Sequence, residues 1–267
     1  MESKVVFVGA GNMAEAIVSG MVAADFCAPE KIVLTDIRPE RLADLEADHG
    51  VSTSTDNSVV KNAEIVVLAV KPQVMNEVLK GIAPVLRKET LVISIAAGIS
   101  AAKIEAALGE GTRVVRVMPN TPALIGQGAS ALAAGTLADE ADMEVAEAIL
   151  NCVGLTVRVE ERQIDAVTAL SGSGPAYVFY LLEGMLAAAD EMGLEKETAR
   201  ALALQTVEGA ARLMKDSGEK AADLRAKVTS KGGTTEAAIR SLDAAGVKES
   251  IVNALKAAEA RSKELSR

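Results

Sequence analysis

Residues 5–14 read VVFVGAGNMA, an apolar run that breaks at glycine and opens at once into a helical pattern. Gly9, Gly11 and Ala14 stand at G-x-G-x-x-A spacing. There Gly9 permits a tight turn, Gly11 lets a pyrophosphate approach the backbone, and Ala14 lets the helix pack closely on the strand. The helix start at Ala10, Gly11, Asn12 and Met13 offers unpaired amides and about half a positive charge, a ready site for a phosphate. The spacing alone is a weak signal. Its strand–turn–helix setting makes it a dinucleotide-binding turn and commits the chain to βαβ architecture.

The first 160 residues continue that alternation. Apolar runs predict strands at 4–8, 32–35, 65–70, 91–95, 113–118, 129–133 and 155–159, with helices at 13–24, 39–48, 73–82, 101–108 and 139–151. Such a pattern implies right-handed crossovers and a doubly wound, mostly parallel sheet, a Rossmann domain. Runs such as IVVLAV at 65–70 suit burial on both faces. From about Gln163 only helices are expected, at 163–170, 176–192, 197–217, 221–228, 235–245 and 247–265. Residues 1–161 are thus read as the dinucleotide-binding domain and 162–267 as a helical substrate-binding domain. The predicted helix 176–192 carries only Glu183 as a charge before its last turn. A helix apolar all round is a buried one, and association between subunits is the economical way to bury it.

Composition narrows the function. Hydrophobic residues make up 49% and charged residues 24%, while aromatics are only 2%. The cores must therefore be aliphatic, which suits parallel strands and close helices. A net charge of −9 argues against nucleic acid and anionic membranes as partners. Any anionic ligand has to be held by local groups. Cys27 and Cys152 lack metal or disulfide spacing and read as small apolar residues in a reducing compartment. The start MESKVVFVG suggests no leader, and no uncharged run is long enough to span a bilayer. The expectation is a cytoplasmic protein.

A second motif lies far from the first. Residues 228–239, VTSKGGTTEAAI, place two glycines and two threonines at the start of an amphipathic helix. Two adjacent glycines before a helix leave several amides aimed at one point, and Thr234 and Thr235 add hydroxyls, so a small carboxylate suits the site. The loops after the strands line the carboxyl edge of the sheet, where ligands bind in such folds. They carry Ala69, Val70, Lys71 and Pro72, then Ala97 and Gly98, then Asn120, expected near a nicotinamide. Asp36 at the end of the second strand would bond a ribose 2′-hydroxyl, whereas Arg38 would meet a 2′-phosphate. Asn57 serves the adenosine side or caps a short helix. The segment LSGSGPAY, with Ser171 and Ser173, joins the two halves. The sole histidine, His49, reads as a surface residue at a helix end, and no zinc spacing or Ser/His/Asp arrangement is present. Hydride transfer to a protonated C=N bond needs little proton traffic, so positioning and one hydroxyl are sufficient chemistry.

The motifs VGAGNMA, AVKPQ, IAAGI, MPNTPA, IDAVTALSGSGPAYVF and TSKGGTTEAAI, in this order, closely resemble the pyrroline-5-carboxylate reductase family over essentially the whole chain. The resemblance implies a Rossmann domain, a helical domain that interlocks in a homodimer, often assembled further into a decamer, and NAD(P)H-dependent reduction of 1-pyrroline-5-carboxylate to L-proline. It implies that Gly232, Gly233 and Thr234 bind the substrate carboxylate, that Thr235 bonds the ring nitrogen, and that Ser171 borders the nicotinamide. It matches Asn57, Ala69, Lys71 and Pro72 to cofactor-contacting loops. Lys231 stands where the family often has proline. Asp36 stands where a small hydroxyl residue is usual, so NADPH is the family default and Asp36 admits NADH. Two other readings fit parts of the pattern: a β-hydroxyacid dehydrogenase, which needs a lysine base in the helical domain, and an NAD(P)-sensing protein without turnover.

Overall fold

Strands of Val, Ile and Leu without polar interruption can be buried on both faces only between two layers of helix. The computed structural model, which describes residues 4–266, has that arrangement. Among the described residues, β1 (Val5–Val8), β2 (Ile32–Thr35), β3 (Ser52–Ser54), β4 (Ile65–Leu68), β5 (Leu91–Ser94), β6 (Arg113–Met118), β7 (Gly128–Ala134) and β8 (Gly154–Arg158) form one sheet. Its order is β3-β2-β1-β4-β5-β6-β7-β8. All neighbours are parallel except β6 and β7. The strand order reverses at β1, the switch point of a doubly wound sheet.

The helices of this part are α1 (Asn12–Ala23), α2 (Pro39–His49), α3 (Pro72–Ile82), α4 (Ala101–Leu108) and α5 (Glu140–Asn151). Phe7, Ile17, Leu45 and Ile149 share a core on one face, against α1, α2 and α5. Val66, Leu79 and Ile104 share another on the opposite face, against α3 and α4. Register places the functional edge. Val8 pairs with Thr35 on one side and Leu68 on the other, so Gly9, Asp36 and Ala69 leave the sheet side by side.

Beyond β8 run α6 (Ile164–Val167), α7 (Gly174–Glu191), α8 (Lys196–Ser217), α9 (Ala221–Lys227), α10 (Thr234–Ala244) and α11 (Val247–Leu265). Residues up to Pro175, together with those from Ala258 onward, form one compact unit, and Ala176–Ala257 form the other. Within the first unit Ser262, on the last turns of α11, donates to the Asp165 carboxylate at 2.7 Å.

Three expectations change. β3 had no apolar signal, because a three-residue STS edge strand buries little. The helix expected over 163–170 splits into a short turn, α6 and a π-helical turn at Thr168–Gly172. His49 is not a surface residue: its side chain is 16% exposed, and its buried Nε2 makes no hydrogen bond. The apolar helix α7, expected to find its cover between subunits, is indeed not buried within this chain. Phe179, Tyr180 and Leu181 stay exposed, as do Leu202 and Leu213 on α8 and Ile251 on α11. Full burial of such a side chain contributes about 1.5–3 kcal/mol. Leaving six of them half exposed forfeits an amount approaching the net stability of an ordinary domain, about 5–15 kcal/mol. A partner surface is the physical remedy.

Gly9 is the tightest point of the switch. Its φ is +102°, and a Cβ there would stand 2.7 Å from the Ala69 carbonyl oxygen. Both the backbone angle and the contact oppose any side chain. Gly9→Ala is therefore expected to lower unfolding free energy by about 2–4 kcal/mol, measured by urea denaturation. A loss below about 0.5 kcal/mol, the level of a neutral surface change, would contradict the described turn.

Candidate functional site

The turn from β1 into α1 is an open cradle. Gly11 is the N-cap of α1, with extended backbone (φ −76°, ψ 177°) and no side chain to cap the first amides. A Cβ built on Gly11 would meet nothing within 4 Å. The first-turn N–H groups lack intrahelical acceptors, and the space before them is clear. A pyrophosphate fits that environment. Behind it Ala14 is buried in the core, as close helix–strand packing requires.

The neighbouring strand ends complete the edge. The Ala10 N–H donates to Asp36 Oδ2 at 3.0 Å. Arg38 donates to the same carboxylate through Nε at 2.9 Å and Nη2 at 3.0 Å. Asp36 and Arg38, which pointed to different cofactors in the sequence, are therefore a bidentate pair. The Arg38 guanidinium first, then the Ala10 and Arg38 amides, hold the Asp36 carboxyl down at about 2 despite partial burial. Asn57 accepts from the Thr35 hydroxyl at 2.5 Å, at the end of β2. It does not cap the short helix that follows. Asp56 does, accepting from Ser58 N–H at 2.8 Å.

Ala69 backs Gly9, and Val70 crowds it from the side. Lys71 is exposed and extended (φ −63°, ψ 145°) at the N-cap of α3, ahead of Pro72. The loop of Ala97 and Gly98 follows β5. Gly98 lies against Leu265 at the end of α11, so that chain segment covers one of its faces.

Asn120 follows β6 and is nearly buried. Its Oδ1 accepts from Ala129 N–H at 2.8 Å, and its Nδ2 donates to the Ser171 carbonyl at 3.2 Å. The side chain thus ties β7 to the π-helical turn, a tie that the MPNTPA string could not reveal. Ser171 is half-buried, and its hydroxyl donates to the Val167 carbonyl at 3.3 Å. The i+5 hydrogen bond from Ser173 N–H to the Thr168 carbonyl, 2.8 Å long, defines the π turn. Such turns recur at functional sites.

The second motif lies in the other unit. Gly233 is the N-cap of α10, extended and without a side-chain cap. A Cβ at Gly233 would collide with the Ser230 hydroxyl, at 2.6 Å. That contact brings Ser230, which the sequence reading passed over, beside the helix start. Gly232 N–H already donates to Glu236 Oε2 at 2.8 Å, and Gly233 N–H to the Ser230 carbonyl at 3.0 Å. With those two amides engaged inside the chain, the first-turn amides of Thr234 and Thr235 lack an intrahelical acceptor. Lys231 is exposed and makes no ion pair among the described residues.

Other features carry less. Burial pushes the Cys27 and Cys152 thiols up, away from a reactive thiolate. A depression of about 400 Å³ is lined by Glu105, Glu110, Thr112 and Thr136 and lies at the amino edge of the sheet, opposite the cradle. Among the described residues no cluster of three or more His, Cys, Asp or Glu is arranged to hold a metal.

Comparison with known proteins agrees with this geometry. A family model described as pyrroline-5-carboxylate reductase dimerisation matches residues 161–265, and one described as NADP oxidoreductase coenzyme F420-dependent matches 4–98. The pyrroline-5-carboxylate reductase of Methanosarcina acetivorans is 44% identical, over 99% of this chain and 98% of its own. A solved pyrroline-5-carboxylate reductase from Coxiella burnetii covers 100% of both chains at 42% identity and a TM-score of 0.93. The Plasmodium falciparum pyrroline carboxylate reductase, solved with NADP bound, covers 99% of this chain and 98% of its own at 30% identity, with a TM-score of 0.90.

The sign of the Asp36 effect is testable. Its folded value, about 2, lies below the ordinary 3.8. The stability it contributes is therefore fully present above that ordinary value and is lost as pH falls through about 2. The stability gap between wild type and Asp36→Asn should be flat from about pH 5 upward and close towards about pH 2, read by denaturant midpoints. A gap that does not change with pH would contradict the pair.

Proposed function

The chain belongs to the pyrroline-5-carboxylate reductase family, and on that premise we propose that it reduces the C=N bond of 1-pyrroline-5-carboxylate to give L-proline, the last step of proline biosynthesis. One observation supports the reading: two helices, α1 after β1 and α10, start from an extended glycine N-cap with no side-chain cap, each suited to a different anion. An enzyme of this kind needs both, one for a dinucleotide and one for a small carboxylate.

Bound NAD(P)H supplies the hydride. Residues 1–161 act as the dinucleotide domain, and residues 162–267 bind substrate and form the dimer. The amides of Gly11, Asn12 and Met13 receive the pyrophosphate. Asp36, kept in place by the Ala10 N–H, accepts from a ribose 2′-hydroxyl, while the exposed Arg38 can turn to a 2′-phosphate. Both cofactors are therefore accommodated. Thr234 and Thr235 amides hold the substrate carboxylate, and Gly232 and Gly233 let it approach. The Thr235 hydroxyl bonds the ring nitrogen. Because a protonated imine carbon accepts hydride directly, that hydroxyl orients rather than transfers a proton. Ser171 borders the nicotinamide, and Asn120 sets the turn that carries it.

Association through the exposed faces of α7, α8 and α11 gives a homodimer, and dimers can assemble further into a decamer. Among the described residues no helix is long and apolar enough to cross a membrane, in keeping with a proposed cytoplasmic location.

Purified protein should oxidise NADPH or NADH in the presence of 1-pyrroline-5-carboxylate; oxidation of neither would refute the function. Thr235→Val should lower kcat/KM roughly 10- to 100-fold, the 1.5–3 kcal/mol of a hydrogen bond to a charged group. Unchanged kinetics would remove Thr235 from the site. Light scattering should give an even multiple of the chain mass, and a monomer at micromolar concentration would contradict association through the helical part.

A further inference from the structure

Arg38 and Arg41 stand three residues apart at the start of α2 and face different ways. Arg38 is 59% exposed at its side chain and rests on Asp36. Arg41 is 23% exposed and turned towards α1. Its Nε donates to the Ala10 carbonyl at 3.1 Å, and its Nη2 donates to Glu15 Oε2 at 2.5 Å. Glu15 lies in the first turn of α1, and its other oxygen is 3.9 Å from His49 Nε2. Ala10 is thus gripped twice, its N–H by Asp36 and its carbonyl by Arg41.

The geometry of one peptide links this grip to the ligand. Among the described residues there is no cis bond, so the Ala10 C=O and the Gly11 N–H of one planar unit point in opposite directions. A carbonyl held towards Arg41 aims the Gly11 N–H away from α2. The neighbouring Cβ position on Gly11 is open space. An ion pair at a surface contributes little by itself, about 0–1 kcal/mol. The bond to the Ala10 carbonyl is different, because it fixes the direction of a group that faces the cofactor.

We propose that Arg41, steadied by Glu15, is a positioning residue for the dinucleotide turn, holding the Ala10 carbonyl so that the Gly11 amide faces the pyrophosphate. The inference rests on the dinucleotide binding proposed above. Pyrophosphate is common to NADH and NADPH, so Arg41 acts on both alike. Arg38, free to leave Asp36, acts on the 2′-phosphate alone. Two arginines one helical turn apart thereby divide affinity from selectivity.

Fluorescence titration of NADPH and of NADH into the full chain, alongside thermal unfolding without cofactor, separates the roles. Arg41→Ala should raise both Kd values by a similar factor, on the order of tenfold, and Arg41→Lys should restore part of the loss for both. Arg38→Ala should raise the Kd for NADPH only. A loss confined to NADPH in Arg41→Ala would reassign that residue to the 2′-phosphate. Unchanged Kd values with a lowered melting temperature would make it a stabilising bridge only. Either result overturns the proposal. If Arg41→Ala does not fold, Glu15→Gln gives the same comparison, with a smaller common rise expected and no rise overturning it. Wild-type protein that binds neither dinucleotide would instead overturn the reading of the turn itself.

Discussion

The hold on Ala10 is the constraint around which the cofactor edge is built. Its N–H is taken by Asp36 from the end of β2 and its carbonyl by Arg41 from α2, while the preceding Gly9 is pressed on the Ala69 carbonyl after β4. Three neighbouring elements thus fix one turn. They can do so because β1, β2 and β4 are in register, so their carboxyl ends leave the sheet at one level. A rigid turn keeps the α1 amides aimed before a ligand arrives, and pre-aimed donors cost less to use than mobile ones.

The same physics appears a second time at α10. There too a glycine N-cap leaves the first amides without a side-chain acceptor, and here threonine hydroxyls stand next to them. Under the proposed function both sites would hold anions in a protein of net charge −9. The global field opposes such ligands, so the binding free energy has to come from short-range amide dipoles, which act within a turn of the helix. The exposed apolar faces of the helical part follow a related logic. Three of the chain's five aromatic residues, Tyr177, Phe179 and Tyr180, lie on α7, and Phe179 and Tyr180 are left exposed with Leu181 for another copy to cover.

Much of this was legible in the sequence, because it depends on local pattern. The doubly wound sheet follows from Val/Ile/Leu runs separated by helical stretches, and the cradle from Gly9, Gly11 and Ala14 at fixed spacing. β3 escaped because STS carries no apolar signal. The π turn escaped because TALSG has an ordinary helical composition, and its extra residue is visible only in the hydrogen bond from Ser173 to Thr168. Side-chain partners distant in sequence were the least legible. Asn120 reads as a loop amide until Ser171, 51 residues on, is seen to accept from it. Glu236 reads as an ordinary helix-start acid until it is seen on Gly232 N–H, which leaves the amides of Thr234 and Thr235 as the open ones at the start of α10.

The central claim is that bare amides at the start of α1 hold the dinucleotide. Residue-resolved amide hydrogen exchange, with and without saturating NADPH, tests it most directly. The account predicts marked slowing at Gly11, Asn12 and Met13 on binding, larger than at the amides of α2 or α3. Binding without any slowing at those three residues would contradict it.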